Sequence, residues 1–213
     1  MRDIRKELVG FGVRIARAGL VAGAGGNISA RDGKIIWMKP SGFAMDEMGP
    51  GDLCGLDLET GMQKAGNNKP TSEFNMHLAV YRMRPEINAV FHTHSPWASG
   101  VVSSGIKLRP MFAEFAGVLG RTTTIPYVTP TTIYLADAMA GATEKHDTVF
   151  MVNHGVLAVG LNMKQAYSRC LLAEQAAIAL TAAAAVGKPK FLTAGQQAEL
   201  KERQKEQRHI GTK

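Results

Sequence analysis

Ile28-Ser29-Ala30-Arg31-Asp32-Gly33-Lys34-Ile35-Ile36-Trp37-Met38 is the stretch whose reading decides the fold. Asp-Gly tolerates positive φ and closes hairpins whose twist matches the flanking strands. The runs Ile28 to Arg31 and Lys34 to Met38 have strand composition, so the segment predicts an antiparallel hairpin. Pro40-Ser41-Gly42 ends the return strand, and Asp52 to Leu58 predicts a third strand with a turn at Thr60-Gly61. Further out, Ile87 to His92 and Leu108 to Phe115 predict strands, and Thr148 to Val159 predicts a second hairpin bent around His154-Gly155.

Helices fill the intervals. Ile4, Leu8, Phe11 and Ile15 recur at helical spacing within Arg2 to Ala18, and Gly19 stops that run. Thr71 or Ser72 caps a helix reaching about Arg82, and Ser95-Pro96 opens another. Thr131 to Ala140, the alanine-rich Asn162 to Val186 and the polar Ala194 to Arg208 complete the set. Hairpins with helices at irregular intervals predict a mixed or antiparallel sheet between helices. They do not have the βαβ rhythm of a doubly wound parallel sheet.

The chain has 213 residues, 45% of them hydrophobic, which suits one domain spanning 1–213 with a polar helical tail over 190–213. No apolar run approaches the roughly 20 residues of a membrane span, and the mixed charges of Met1 to Glu7 are not those of a signal peptide. Cys54 and Cys170 form no CxxC pair and read as reduced thiols of a cytoplasmic protein. The formal charge of +7 draws much of its excess from the tail and suits phosphorylated small molecules. No basic run interleaved with aromatics points to nucleic acid.

Histidines carry the chemistry. His92 and His94 lie two apart at a strand end and point to one face. His154 interrupts a second apolar stretch, Val149 to Val159. Polar residues inside apolar strands need partners, and a shared metal ion supplies one. Three imidazoles leave coordination positions open, which is the catalytic pattern for zinc. Glu73 sits at a helix start, where the dipole favours a carboxylate, and reads as a general base beside the metal or as a further ligand. His77 shares its helical face and reads as packing or as support behind the ligands. Gly23-Ala24-Gly25-Gly26-Asn27, Ser41-Gly42 and Thr71-Ser72 are small-residue or hydroxyl-bearing turns of the kind that bind anions through backbone N–H groups.

The series Gly-x-x-Gly-Asn-Ile-Ser-x-Arg, Lys-Pro-Ser-Gly, Lys-Pro-Thr-Ser-Glu, His-Thr-His-Ser and Asn-His-Gly resembles, in order and spacing, the motifs of the class II aldolase family typified by fuculose-phosphate enzymes. The resemblance spans about Arg14 to Leu180. It implies an α/β/α three-layer sandwich around a largely antiparallel sheet. His92, His94 and His154 then resemble the zinc ligands, in a site open to Co2+ or Mn2+ as well, and Glu73 resembles the catalytic acid/base. Asn27, Ser41, Gly42, Thr71 and Ser72 resemble the phosphate-binding positions. The resemblance further implies a cyclic homotetramer with active sites between subunits.

Two features depart from the family. A tyrosine that protonates the aldehyde oxygen at a neighbouring site is missing from Met111-Phe112-Ala113-Glu114-Phe115, where Glu114 offers a substitute acid. The tail from Arg208 to Lys213 carries no tyrosine either. The implied activity is reversible cleavage of a ketose 1-phosphate of fuculose, deoxyribulose or methylthioribulose type to dihydroxyacetone phosphate and an aldehyde. Decarboxylation of a phosphorylated sugar acid and dehydration of methylthioribulose 1-phosphate are rivals on the same fold. A non-catalytic adducin-type protein is a third, against which all three histidines and Glu73 argue.

Overall fold

Antiparallel pairing organises the molecule, as the Asp32-Gly33 hairpin predicts. The structure, a computed structural model, describes residues 3–210. Its elements run α1 (Ile4–Arg17), β1 (Asn27–Asp32), β2 (Ile35–Met38), β3 (Cys54–Asp57), β4 (Gln63–Ala65), α2 (Phe74–Met83), β5 (Ala89–Thr93), α3 (Pro96–Ser103), α4 (Ala113–Val118), β6 (Thr122–Ile125), α5 (Ile133–Lys145), β7 (Thr148–Met151), β8 (Gly155–Gly160), α6 (Met163–Val186) and α7 (Ala194–Ile210). The expected start of the first helix at Arg2, and the chain end at 211–213, lie outside the described residues.

All eight strands join one sheet in the order β4-β3-β2-β1-β5-β8-β7-β6. Among the described residues only β6 and β7 run parallel. In the first hairpin Asp32 pairs with Ile35, so Gly33 and Lys34 form the loop, and Gly33 takes the positive φ of 60° that the turn requires. Alternation along the strands divides the core. Val90, Leu157 and Val159 pack with Met76, Val80 and Tyr81 of α2 and Leu135 and Met139 of α5. Ile28, Ala30, Phe91 and Ala158 pack on the other face with Leu8, Phe11 and Ile15 of α1 and Ala166 and Cys170 of α6. The result is the expected α/β/α sandwich.

Local signals set the helix starts. Asp3 accepts from the amides of Arg5 and Lys6 ahead of α1, Thr132 from Leu135 ahead of α5, and Asn162 from Gln165 ahead of α6. The helix after Thr71-Ser72 begins at Phe74, two residues later than a cap at Thr71 and one later than a cap at Ser72 would put it.

Two assignments change. Leu108 to Phe115 is not a strand: the chain is irregular to Phe112 and α4 starts at Ala113. Pro110 has no N–H for a ladder, and Phe115 and Leu119 are buried one helical turn apart against α3 and α6. Short β4 and β6 are additional strands with exposed or half-buried residues, so no alternation marks them.

Alpha-6 is the one helix among the described residues long and apolar enough to cross a membrane by composition. It also carries Arg169 and Glu174, both buried. Arg169 donates to the carbonyls of Val118 and Val159, and Glu174 accepts from the amides of Trp97 and Ala98 at 3.0 and 2.9 Å. A helix whose charged groups are satisfied by neighbouring protein segments is a core helix.

Candidate metal centre and catalytic cleft

Beta-5 and the β7–β8 turn bring the three histidines to one point. The β5–β8 register pairs Thr93 with Val156, so the chain beyond β5, carrying His94, lies beside the turn that carries His154. That turn is sterically demanding. Asn153 adopts a left-handed φ of 56°. A Cβ at Gly155 would fall 2.3 Å from the Thr93 carbonyl oxygen and 3.1 Å from His92 Cε1. The Asn-His-Gly triplet is thus a geometric requirement for presenting His154. Gly25 and Gly26 serve similarly: a Cβ at Gly25 would lie 3.0 Å from His94 Nδ1, and one at Gly26 would lie 2.8 Å from the His92 carbonyl.

One ring nitrogen from each histidine lies within 4.8 Å of the others. His92 donates from Nδ1 to the Val156 carbonyl at 3.1 Å, which leaves its Nε2 a bare lone pair. His94 Nε2 is 3.1 Å from that atom. Burial, reinforced by the neighbouring imidazoles His154 and His94, holds His92 well below the ordinary histidine pKa. Burial also lowers His94 and His154, against the opposing pull of the Glu73 charge. All three rings are therefore neutral near pH 7 and present lone pairs to a common centre.

Glu73, 6% exposed at the start of α2, faces this cluster. Oε2 lies 3.4 Å from His92 Nε2 and Oε1 lies 3.5 Å from His154 Nε2. Glu73 Oε1 and His154 Nδ1 are both buried without a hydrogen-bond partner, and such atoms are costly unless something satisfies them. Converging neutral imidazoles beside an orphaned carboxylate oxygen fit a divalent cation.

The cluster opens into a cleft of about 270 Å³ lined by Asn27, Ser41, Gly42, Thr71, Ser72, Glu73, His94 and His154. The expected phosphate-binding positions and the catalytic cluster thus share one space, although they come from five separate segments. Asn27 does more than line the cleft: it is 4% exposed, and its Nδ2 donates to Glu73 Oε2 at 2.8 Å. Glu114 is not brought to this cleft; it is exposed in the first turn of α4. Phe115 belongs to the core between α3 and α6, and Met111 and Phe112 pack against that core.

Sequence reasoning missed Lys39, Pro130 and Thr131, which also line the cleft. Lys39 is 2% exposed, donates from Nζ to the Ala24 carbonyl at 3.0 Å, and has its pKa lowered by burial. Its neighbour Pro40 gave only a turn signal, and Thr131, expected as the first residue of a helix, instead takes a left-handed φ of 67° ahead of α5, which starts at Ile133. A larger groove of about 650 Å³, which includes Trp97, Leu180 and Phe191 in its lining, holds no titratable group. The titratable groups gather in the smaller cleft.

Fold and site define the class: an enzyme of class II aldolase type, a lyase built to use a divalent metal. The chain belongs to the class II aldolase and adducin N-terminal domain family, whose profile matches residues 6–180. It is 37% identical over 192 residues to the 5-deoxy-D-ribulose 1-phosphate aldolase of Bacillus thuringiensis serovar kurstaki, covering 88% of this chain and 89% of that one. It is 33% identical over 157 residues to an L-fuculose phosphate aldolase of Methanococcus maripaludis, covering 74% and 84%. A solved L-fuculose 1-phosphate aldolase superposes with a TM-score of 0.88 at 28% identity, covering 96% of this chain and 97% of that one.

Proposed function

We propose that the protein is a zinc-dependent aldolase that reversibly cleaves a ketose 1-phosphate to dihydroxyacetone phosphate and an aldehyde. The observation that carries this reading is the Glu73 carboxylate, set 3.4 and 3.5 Å from two imidazoles of the cluster with Oε1 free of any donor. A carboxylate so placed exchanges a proton with carbon next to a carbonyl. Three neutral imidazoles suit Zn2+, and Co2+ or Mn2+ fit the same donors. A divalent ion bound there supplies Lewis-acid stabilisation for negative charge developing on the substrate oxygens.

The chain's own residues do the rest. The exposed Ser41 and Ser72, with Gly42 and Thr71 beside them, offer the phosphate donors on the rim of the cleft. Asn27 keeps a second amide N–H for the same purpose, and Lys39 adds positive charge. Anchoring the phosphate fixes the reacting carbons over Glu73. In cleavage the C4 hydroxyl gives up its proton, the C3–C4 bond breaks, and its electron pair passes to the C2 carbonyl oxygen. Glu73, protonated from solvent, then delivers that proton to C3, and in synthesis removes it, while the proton taken from the C4 hydroxyl returns to solvent. Glu114, exposed and remote from its own cleft, takes the aldehyde-side proton at the cleft of a neighbouring copy in a homotetramer. The 5-deoxy-D-ribulose 1-phosphate relative supports a short deoxypentulose as substrate, and the two buried thiols, Cys54 and Cys170, support a cytoplasmic protein.

The test is release of dihydroxyacetone phosphate by zinc-loaded protein from fuculose, rhamnulose, ribulose, 5-deoxyribulose and 5-methylthioribulose 1-phosphates. Release from at least one, abolished by chelator, is expected. Stoichiometric zinc with no release from any of them would overturn the reading.

A further inference from the structure

Behind Glu73 runs a buried line of polar side chains, of which the reaction outlined above uses only Asn27. Asn27, Ser29, His77 and Tyr81 are 4%, 0%, 0% and 0% exposed. Asn27 bridges Glu73 and His77, its Nδ2 on Glu73 Oε2 and its Oδ1 on His77 Nε2. His77 Nδ1 lies 2.7 Å from Ser29 Oγ, which lies 3.0 Å from the Tyr81 hydroxyl. The residues come from two elements that face each other, Asn27 and Ser29 from β1 and His77 and Tyr81 from α2. The two-residue period of the strand and the four-residue period of the helix put all four in register.

The carboxylate fixes the direction of every bond. An ionised carboxylate only accepts, so Asn27 must turn its NH2 to Glu73. Its carbonyl then faces His77, whose Nε2 must carry the proton. Nδ1 is left bare and accepts from Ser29 at 2.7 Å, a closer acceptor for that hydroxyl than the Val90 carbonyl at 3.4 Å, and Ser29 in turn accepts from Tyr81. Every donor points toward Glu73. The opposite tautomer of His77 would call for the opposite face of Asn27 and set a carbonyl oxygen against the carboxylate. The anchored oxygen is Oε2, while Oε1 has no donor.

We propose that His77 is a positioning residue for Glu73: through Asn27 it holds one carboxylate oxygen in place and leaves the other to move the proton. This rests on the acid/base role proposed for Glu73. It predicts that support behind the reacting group, rather than contact with substrate, sets part of the turnover, and such support is worth about 10- to 100-fold.

The test has two arms. The first is 15N NMR of histidine-labelled, zinc-loaded protein, with the His77 signals assigned by their loss in His77→Leu. A protonated Nε2 and bare Nδ1 are expected; a protonated Nδ1 overturns the relay. The second compares His77→Leu, His77→Gln and Ser29→Ala at wild-type zinc content. His77→Leu should lose about 10- to 100-fold in kcat with KM within about twofold of wild type. His77→Gln, whose amide N–H can still donate to Asn27, should recover most of the loss. Ser29→Ala, a small change that tests the relay should His77→Leu misfold, should lose several-fold in kcat. Wild-type kcat in both His77→Leu and Ser29→Ala, or equal losses in His77→Leu and His77→Gln, would overturn the proposal. The tautomer requires no turnover, so a wild type that cleaves no substrate overturns the aldolase reading while the relay still stands or falls on the nitrogen signal.

Discussion

Acid should destabilise this protein through one residue outside the metal cluster. His77 is fully buried, and burial pulls its pKa from 6.5 down to about 3, with His92 adding to the shift and Glu73 opposing it. The folded protein therefore keeps this ring neutral where the unfolded chain protonates it. Between the two pKa values the unfolded state binds more protons, so stability is complete above about pH 6.5 and falls as the pH drops below it. A pH of about 5 lies 1.5 units below the unfolded value of 6.5, and at ~1.4 kcal/mol per unit the loss is ~2 kcal/mol. Urea denaturation of metal-free wild type and His77→Gln at about pH 8 and pH 5 measures it, since the other histidines titrate in both proteins and cancel in the difference. Wild type should lose ~2 kcal/mol more than the variant between the two pH values. Parallel losses, equal to within a few tenths of a kcal/mol, would refute the reasoning.

Gly155→Ala forces a methyl to 2.3 Å from the Thr93 carbonyl and 3.1 Å from His92 Cε1. Competition against a chromophoric chelator should show metal affinity reduced by about tenfold or more, and wild-type affinity would count against the steric account. Glu174→Ala strands the amides of Trp97 and Ala98 at the start of α3. It should cost about 3 kcal/mol in denaturant unfolding, with Glu174→Gln losing about half as much; a loss under about 1 kcal/mol would contradict the capping role. Glu73→Gln should retain stoichiometric metal by atomic absorption while kcat falls by about 100-fold or more; near-normal turnover would remove Glu73 from the acid/base role.

The sequence made most of the metal cluster legible, because strand alternation alone puts His92 and His94 on one face and because apolar flanks mark His154 as inward. Glu73 was legible as a helix-start carboxylate. Lys39 was not: beside Pro40 it reads as a solvated turn lysine, and its burial depends on the Ala24 carbonyl 15 residues away. Asn27 was half legible. A small-residue loop ending in Asn suggests an anion site, but its side chain is tied to residues 46 and 50 positions downstream, which no local pattern encodes. Among the elements, the Asp32-Gly33 hairpin follows from local turn chemistry, shifted by one residue. Beta-6 does not: Thr122 to Ile125 becomes a strand through parallel pairing with β7, and β7 begins more than twenty residues later. The segment around Phe115 reads as a strand from its apolar content, and the groove between α3 and α6 makes it a helix instead.

The most direct test of the central claim, that Glu73 moves a proton at the carbon beside the carbonyl, is hydrogen exchange into dihydroxyacetone phosphate. Zinc-loaded protein, dihydroxyacetone phosphate and D2O are combined without aldehyde and followed by proton NMR. Wild type should replace one of the two hydrogens on the hydroxymethyl carbon, and the exchange should vanish with chelator and in Glu73→Gln. Exchange at the wild-type rate in Glu73→Gln, or none in wild type that binds the compound, would contradict the account.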